Sequence, residues 1–152
     1  MNLQILNTKL PVNDYITVIR NFIINQWQRK WSDEPNENKL KQIKSSISLW
    51  NSSIQNDKKT EVILTRLRIG HTRLTHGFLM STPHGDAPIC NTCDKFLTVK
   101  HILCECKVFR RQRALCFGSI PIDLPKILGE SENFSISKIL MFLRNTGFIN
   151  QI

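Results

Sequence analysis

Apolar residues recur at helical spacing in several separated stretches of this chain, and polar runs and prolines break the pattern between them. Ile16, Ile19, Ile23 and Trp27 fall three or four positions apart, which aligns them on one face of a helix. Asn13 is placed to cap that helix and Asp14 to favour its first turn. The polar run from Ser32 to Asn38, which carries Pro35, ends it near Trp31. From Lys39 to Trp50 two patterns compete: Leu40, Ile43, Ile47 and Trp50 fit a helix, whereas the serines and β-branched residues fit an extended segment. After a polar loop, Lys58 to Ile69 predicts a helix with Ile63 and Leu67 on its inner side, interrupted or ended by Gly70. A short helical piece is expected from Thr72 to Met80, and Pro83, Gly85 and Pro88 then mark a loop. His101 is expected to begin a helix that continues through Arg113. Pro121 and Pro125 punctuate a short apolar stretch, and Ser135 to Arg144 predicts a last amphipathic helix, stopped at Gly147.

These elements define a mainly α fold class, a small irregular helical domain in which a CCHC zinc knuckle is embedded. A length of 152 residues suits one domain, or a domain with an appendage. The pattern divides it into a helical region at 11–82, a zinc module with a following basic helix at 83–118, and a C-terminal helical segment at 119–152. There is no internal repeat and no low-complexity tract. Without a charged start followed by an apolar run, and without a stretch of about 18 apolar residues, the chain is expected to be intracellular, in nucleus or cytoplasm, with no membrane partner.

The candidate chemistry begins with Cys90, Cys93, His101 and Cys106, in the order C-x2-C-x7-H-x4-C. Zn²⁺ favours thiolate sulfur and imidazole nitrogen, and a structural site closes all four positions with such groups. A two-residue gap lets one turn aim both Cys90 and Cys93 at a single point, and the intervening loop brings His101 and Cys106 back to it. His101 and Cys106 are about one and a half helical turns apart, so the helix must begin or bend at the metal. All five cysteines lie within 27 positions, which suits a metal in a reducing compartment better than a disulfide framework. Cys104 is a rival ligand, since H-x2-C also closes a small loop; it lies between apolar positions and is expected in the core, as is Cys116. His84 competes with His101 from a loop that does not fix its ring. His71 and His76 lack the cysteine or carboxylate partners of a second metal site.

The formal charge of +9, from 21 Lys and Arg against 12 Asp and Glu, points to a polyanionic partner, with RNA or DNA the leading candidate. Lys59, Arg66, Arg68 and Arg73 flank the helix before the cysteines, and Lys100, Lys107, Arg110, Arg111 and Arg113 cluster after the first pair. Two readings compete: a basic surface for phosphates around the zinc module, or a solvated outer face. Lys59, Arg66 and Arg73 are seven apart and share one side only if the helix is continuous through Gly70. Trp27, Trp31 and Trp50 can stack on bases, but their spacing places them in the core. Catalysis finds little support. No gathering of carboxylates, Walker loop, G-x-S-x-G or H-E-x-x-H is present, and four protein ligands leave zinc no position for water. No small-molecule substrate is indicated.

The run Leu64-Thr65-Arg66-Leu67-Arg68-Ile69-Gly70-His71-Thr72-Arg73-Leu74-Thr75-His76-Gly77, then Cys90-x2-Cys93, then Thr98-Val99-Lys100-His101-Ile102-Leu103-x2-Cys106, resembles the C-terminal tail of jockey-type non-LTR (LINE-like) retrotransposon polyproteins. Leu10-Pro11-x2-Asp14-Tyr15, Trp27-x3-Trp31, Asn38-Lys39-Leu40-x2-Ile43-Lys44, Ile127-Leu128-Gly129 and Phe142-Leu143-Arg144 extend the likeness over nearly the whole chain. Ser45 departs from it, standing where that family often has proline. The resemblance implies a zinc-bearing, nucleic-acid-associated appendage of a larger protein that copies RNA into DNA. Residues 1–10 would then be the junction after an RNase H domain, and the partners would include the upstream reverse transcriptase and RNase H domains. The family's catalytic acids lie upstream, so none is carried onto this chain. Two alternatives stand beside a binding module: a piece of an enzyme whose activity belongs to other domains, and a structural protein-interaction tail.

Overall fold

The computed structural model describes residues 11–81, 85–118, 122–130 and 135–152. Seven α-helices are present among them: α1 (Val12–Asp33), α2 (Lys39–Ile43), α3 (Lys58–Ile69), α4 (Arg73–His76), α5 (Arg110–Phe117), α6 (Leu124–Leu128) and α7 (Ile136–Asn145). One small hairpin, β1 (Ile89–Cys90) with β2 (Lys95–Phe96), is the only sheet among the described residues. The fold is therefore mainly α and irregular, with no helix among these residues long and apolar enough to cross a membrane.

The core gathers around α3. Asp57 caps it by accepting hydrogen bonds from the N–H groups of Lys59 and Thr60, and Gly70 ends it in the left-handed conformation at φ 79°. A glycine there avoids the Cβ penalty of positive φ. Ile63, Leu64, Leu67 and Arg68 form the buried face of α3, against which α2 and α6 pack. The ambiguous segment is helical only at its start and forms no strand beyond it. Asn38 caps the short helix α2, accepting from the N–H groups of Leu40 and Lys41, and Lys44 then turns extended at φ −135°, ψ 109°. A 3₁₀ turn at Asn51–Ser53 follows.

On the other side, α5 packs on α7. Phe142 is fully buried, with the rings of Phe117 at 5.5 Å and Phe109 at 6.3 Å. Each aromatic pair of this kind adds about 0.5–1.5 kcal/mol beyond burial. Gly147, at φ 76°, follows α7 as expected.

Gly129 marks the closest backbone approach. A Cβ built on it would clash with the carbonyl oxygen of Pro125 in the last turn of α6 and lie 3.1 Å from that of Ile43, where the end of α6 meets α2. Gly129→Ala is expected to distort the end of α6 and press it against α2, lowering stability by about 1–3 kcal/mol, the range for overpacking a rigid site. A thermal unfolding midpoint equal to that of the unsubstituted protein would show that the contact is soft.

The largest departure from expectation is α1. It runs from Pro11, without a side-chain cap from Asn13, and continues past Trp31 to Asp33. No residue of α1 is buried; Trp27, expected in the core, is 65% exposed. Among the described residues only the C-terminal end of α1 is tied down, by hydrogen bonds that include those from Trp31 Nε1 to the Lys44 carbonyl and from the Ile47 N–H to Gln28 Oε1.

Candidate metal centre

Two short pieces of backbone bring the four candidate ligands together. In the hairpin, the chain turns between Cys90 and Lys95. The N–H groups of Cys93 and Asp94 both donate to the Cys90 carbonyl, at 3.1 and 2.8 Å. Asp94 closes the turn at φ 52°, a left-handed position that Asp tolerates better than most side chains. Cys90 and Cys93 therefore leave the same turn on the same side.

The second piece is a π-turn at His101–Glu105 rather than the start of a continuous helix through Arg113. The Cys106 N–H donates to the His101 carbonyl at 2.7 Å, closing an i to i+5 ring. Five residues of α-helix advance the side chain by about 500°, which leaves positions i and i+5 about 140° apart. The wider turn removes that mismatch and is a common device at functional sites. Cys106 itself leaves the helical region at ψ 126°, and α5 starts afresh at Arg110. The expectation that the helix begins or bends at the ligands holds, and both happen: the turn opens at His101 and breaks at Cys106.

The ligand atoms of Cys90, Cys93, His101 and Cys106 all lie within 4.8 Å of one another, the only such cluster among the described residues. Cys106 Sγ is 3.7 Å from Cys90 Sγ and 3.9 Å from Cys93 Sγ. Thiolates about 2.3 Å from a tetrahedral zinc are on the order of 3.8 Å apart, so these separations are compatible with zinc. The imidazole supplies a second test of fit. His101 is buried, and neither ring nitrogen has a hydrogen-bond partner. An orphaned buried imidazole costs about 1–3 kcal/mol unless something coordinates it. Glu105 Oε2 stands 3.8 Å from Nδ1, beyond hydrogen-bond distance but near enough to favour positive charge on the ring or on a bound metal.

The sulfurs differ in their surroundings. The interaction with His101, with further help from the N–H groups of Cys93 and Thr92, draws the Cys90 thiol down to about 6. Burial instead pushes Cys106 up, against an opposing hydrogen bond from the Val108 N–H. Cys104 lies outside the cluster, and burial pushes its thiol up to about 12. Cys116 belongs to the hydrophobic core, as expected, and Cys104 is partly buried and packs against it.

Arg113 and Arg68 depart from the expectation that they face phosphates. Arg113 is buried: its guanidinium donates to the carbonyls of Ile102 and Cys106, clipping α5 to the π-turn that carries two ligands. Arg68 is 3% exposed and donates to the Leu128 carbonyl and to the hydroxyls of Ser52 and Ser53, with its guanidinium 3.9 Å from the centre of the Trp50 ring. Burial lowers its pKa to about 10. Both arginines join elements of the fold. Lys59, Arg66, Arg73, Lys100, Lys107, Arg110 and Arg111 are exposed. Arg66 also donates to the Ile152 carbonyl, and Lys100 stands 3.7 Å from Glu105. Gly70 ends α3, so Lys59, Arg66 and Arg73 do not share one continuous helix.

The rings of His71 and His76 lie 4.1 Å apart, tilted at 40° to each other, and gather no third ligand among the described residues. Burial, the neighbouring His71 and Lys39 lower the pKa of His76. His84 lies outside the described residues. Sequence reasoning missed the supporting roles of Glu105 and Arg113. The signal for Glu105 is its i+4 spacing from His101; Arg113 had none, because its partners are carbonyls. No family model, no curated protein and no solved structure matches this chain.

Proposed function

We propose that this chain is a zinc-stabilised nucleic-acid-binding module with no catalysis of its own, the C-terminal tail of a non-LTR retrotransposon polyprotein. In this reading Cys90, Cys93, Cys106 and His101 hold one structural Zn²⁺. A closed set of four ligands admits no water to be activated, so the metal organises a surface rather than a reaction. Copying RNA into DNA belongs to the upstream reverse transcriptase and RNase H domains.

The observation that carries the reading is the charge placed on the metal site's own exit. Immediately after Cys106, Lys107, Arg110 and Arg111 are exposed around the start of α5. Its N-terminus has no side-chain cap and no acidic residue in its first turn. Cations at a helix N-terminus oppose the macrodipole, an arrangement that costs stability unless an anion offsets it. Free N–H groups and arginines together attract phosphate. Because Arg113 clips α5 to the ligand-bearing turn, the metal fixes where these groups point.

Arg110→Glu combined with Arg111→Glu tests this without endangering the fold, since acidic residues in a first turn favour the helix. Fluorescence anisotropy against single-stranded RNA, repeated over a range of salt, is expected to show at least a tenfold loss of affinity. The slope of log affinity against log salt is expected to fall by about 1.4, two phosphates at about 0.7 each. An unchanged affinity at low salt would remove the phosphate-binding claim and leave a structural tail.

A further inference from the structure

The observations that carry furthest lie on α1. Its residues Val12, Ile16, Ile19, Phe22, Ile23 and Trp27 are between 47% and 72% exposed, and they recur along one stripe. The side chains of Asp14, Asn21 and Gln28 lie on the opposite face. No described residue covers the stripe. Most of a helix's stability in a protein comes from packing its apolar face rather than from intrinsic propensity. Exposed apolar stripes of this size mark interaction surfaces. The stripe runs most of the length of α1, and its apolar side chains with their polar rim approach the roughly 800 Å² that each partner contributes to a stable interface.

We propose that α1 pairs with α1 of a second copy of this chain, antiparallel, to form a homodimer. The direction follows from charge and attachment. A parallel pair sets Lys30 against Lys30 and Gln26 against Gln26 in the seam. An antiparallel pair centred near Asn21 sets Ile19 against Ile23 and Tyr15 against Trp27, and moves the two Lys30 side chains to opposite ends of the seam. Among the described residues each helix joins its own body at its C-terminal end, so the antiparallel arrangement also places the two bodies at opposite ends of the pair. This proposal does not depend on nucleic-acid binding.

Sedimentation velocity of the full, zinc-loaded chain over a range of micromolar concentrations tests it. The unsubstituted protein is expected to sediment as a dimer. Ile19→Asp and Ile23→Asp, each placing a charge in the seam, are expected to weaken the dimer at least ~100-fold. Both residues are exposed in the single chain, so zinc content and the near-ultraviolet circular dichroism of the body are expected to stay unchanged. Lys30→Gln is expected to leave an antiparallel pair unchanged, whereas it would strengthen a parallel one. A monomer at every concentration overturns the proposal, whether the stripe is then covered by the chain's own segments or by an anionic vesicle. A dimer that both aspartate variants leave intact overturns it as well, since it would be held through another face.

Discussion

Cys93→Ser is expected to release the metal and abolish cooperative folding around it. After exhaustive dialysis, metal analysis should fall from about one zinc per chain to near zero, and a chelator acting on the unsubstituted protein should reproduce the result. A neutral serine hydroxyl replaces a thiolate, and the three remaining ligands no longer close the site. Structural zinc supplies about 10–16 kcal/mol of apparent binding free energy in small modules, more than most domains have in total stability. The damage extends beyond the site, because the chain between the hairpin and Cys106 contributes directly to the core. Val99, Ile102 and Leu103 are buried with Leu64, Leu128 and Phe142 in one cluster. The thermal transition of the variant should therefore broaden and drop, not merely shift. Cys104→Ser is the control, since Cys104 lies outside the ligand cluster, and should retain full zinc while losing about 1–2 kcal/mol of packing. Stoichiometric zinc in Cys93→Ser, with an unchanged transition, would remove this residue from the ligand set.

That site was legible because its chemistry is local. The gap between Cys90 and Cys93 is bridged by one turn, and His101 and Cys106 lie within one short segment, so spacing alone constrains where their side chains can meet. Helix α3 was legible for the same reason: its bounds, Lys58 and Ile69, are set by a polar loop on one side and Gly70 on the other. The π-turn was not, since nothing in the residues between His101 and Cys106 distinguishes an i+5 ring from an i+4 one. Helix α1 shows a different limit. Periodicity correctly predicts an amphipathic helix, but it cannot say whether the partner of the apolar face is this chain's own core. The described residues bury their core without α1, and the stripe stays outside.

Arg68 and Arg113 depart from expectation for a third reason: position on the helix, not sign of charge, decides which cation is buried. Arg68 is four residues after Leu64 and one after Leu67, which puts it on the buried face of α3. Arg66, two residues earlier, points outward. Helical geometry separates the two arginines, although composition does not.

Arg68→Ala is accordingly expected to destabilise the protein by about 3 kcal/mol, whereas Arg66→Ala should cost no more than about 1 kcal/mol. The larger loss has three sources. The Leu128 carbonyl and the hydroxyls of Ser52 and Ser53 lose their donor, a cavity opens beneath α6, and Trp50 loses the guanidinium stacked on its ring. Relief of the desolvation that lowers the arginine's pKa offsets part of this. Arg68→Lys separates charge from geometry, because an ammonium keeps the charge but cannot span three acceptors and a ring face. It should still lose about 1–2 kcal/mol. For a protein of this length each kcal/mol corresponds to roughly 2–4 °C in thermal midpoint. Differential scanning calorimetry should therefore place Arg68→Ala lowest, Arg68→Lys between, and Arg66→Ala beside the unsubstituted protein. If Arg68→Lys unfolds at the same temperature as the unsubstituted protein, charge alone suffices at this position and the clamp between α3 and α6 is refuted.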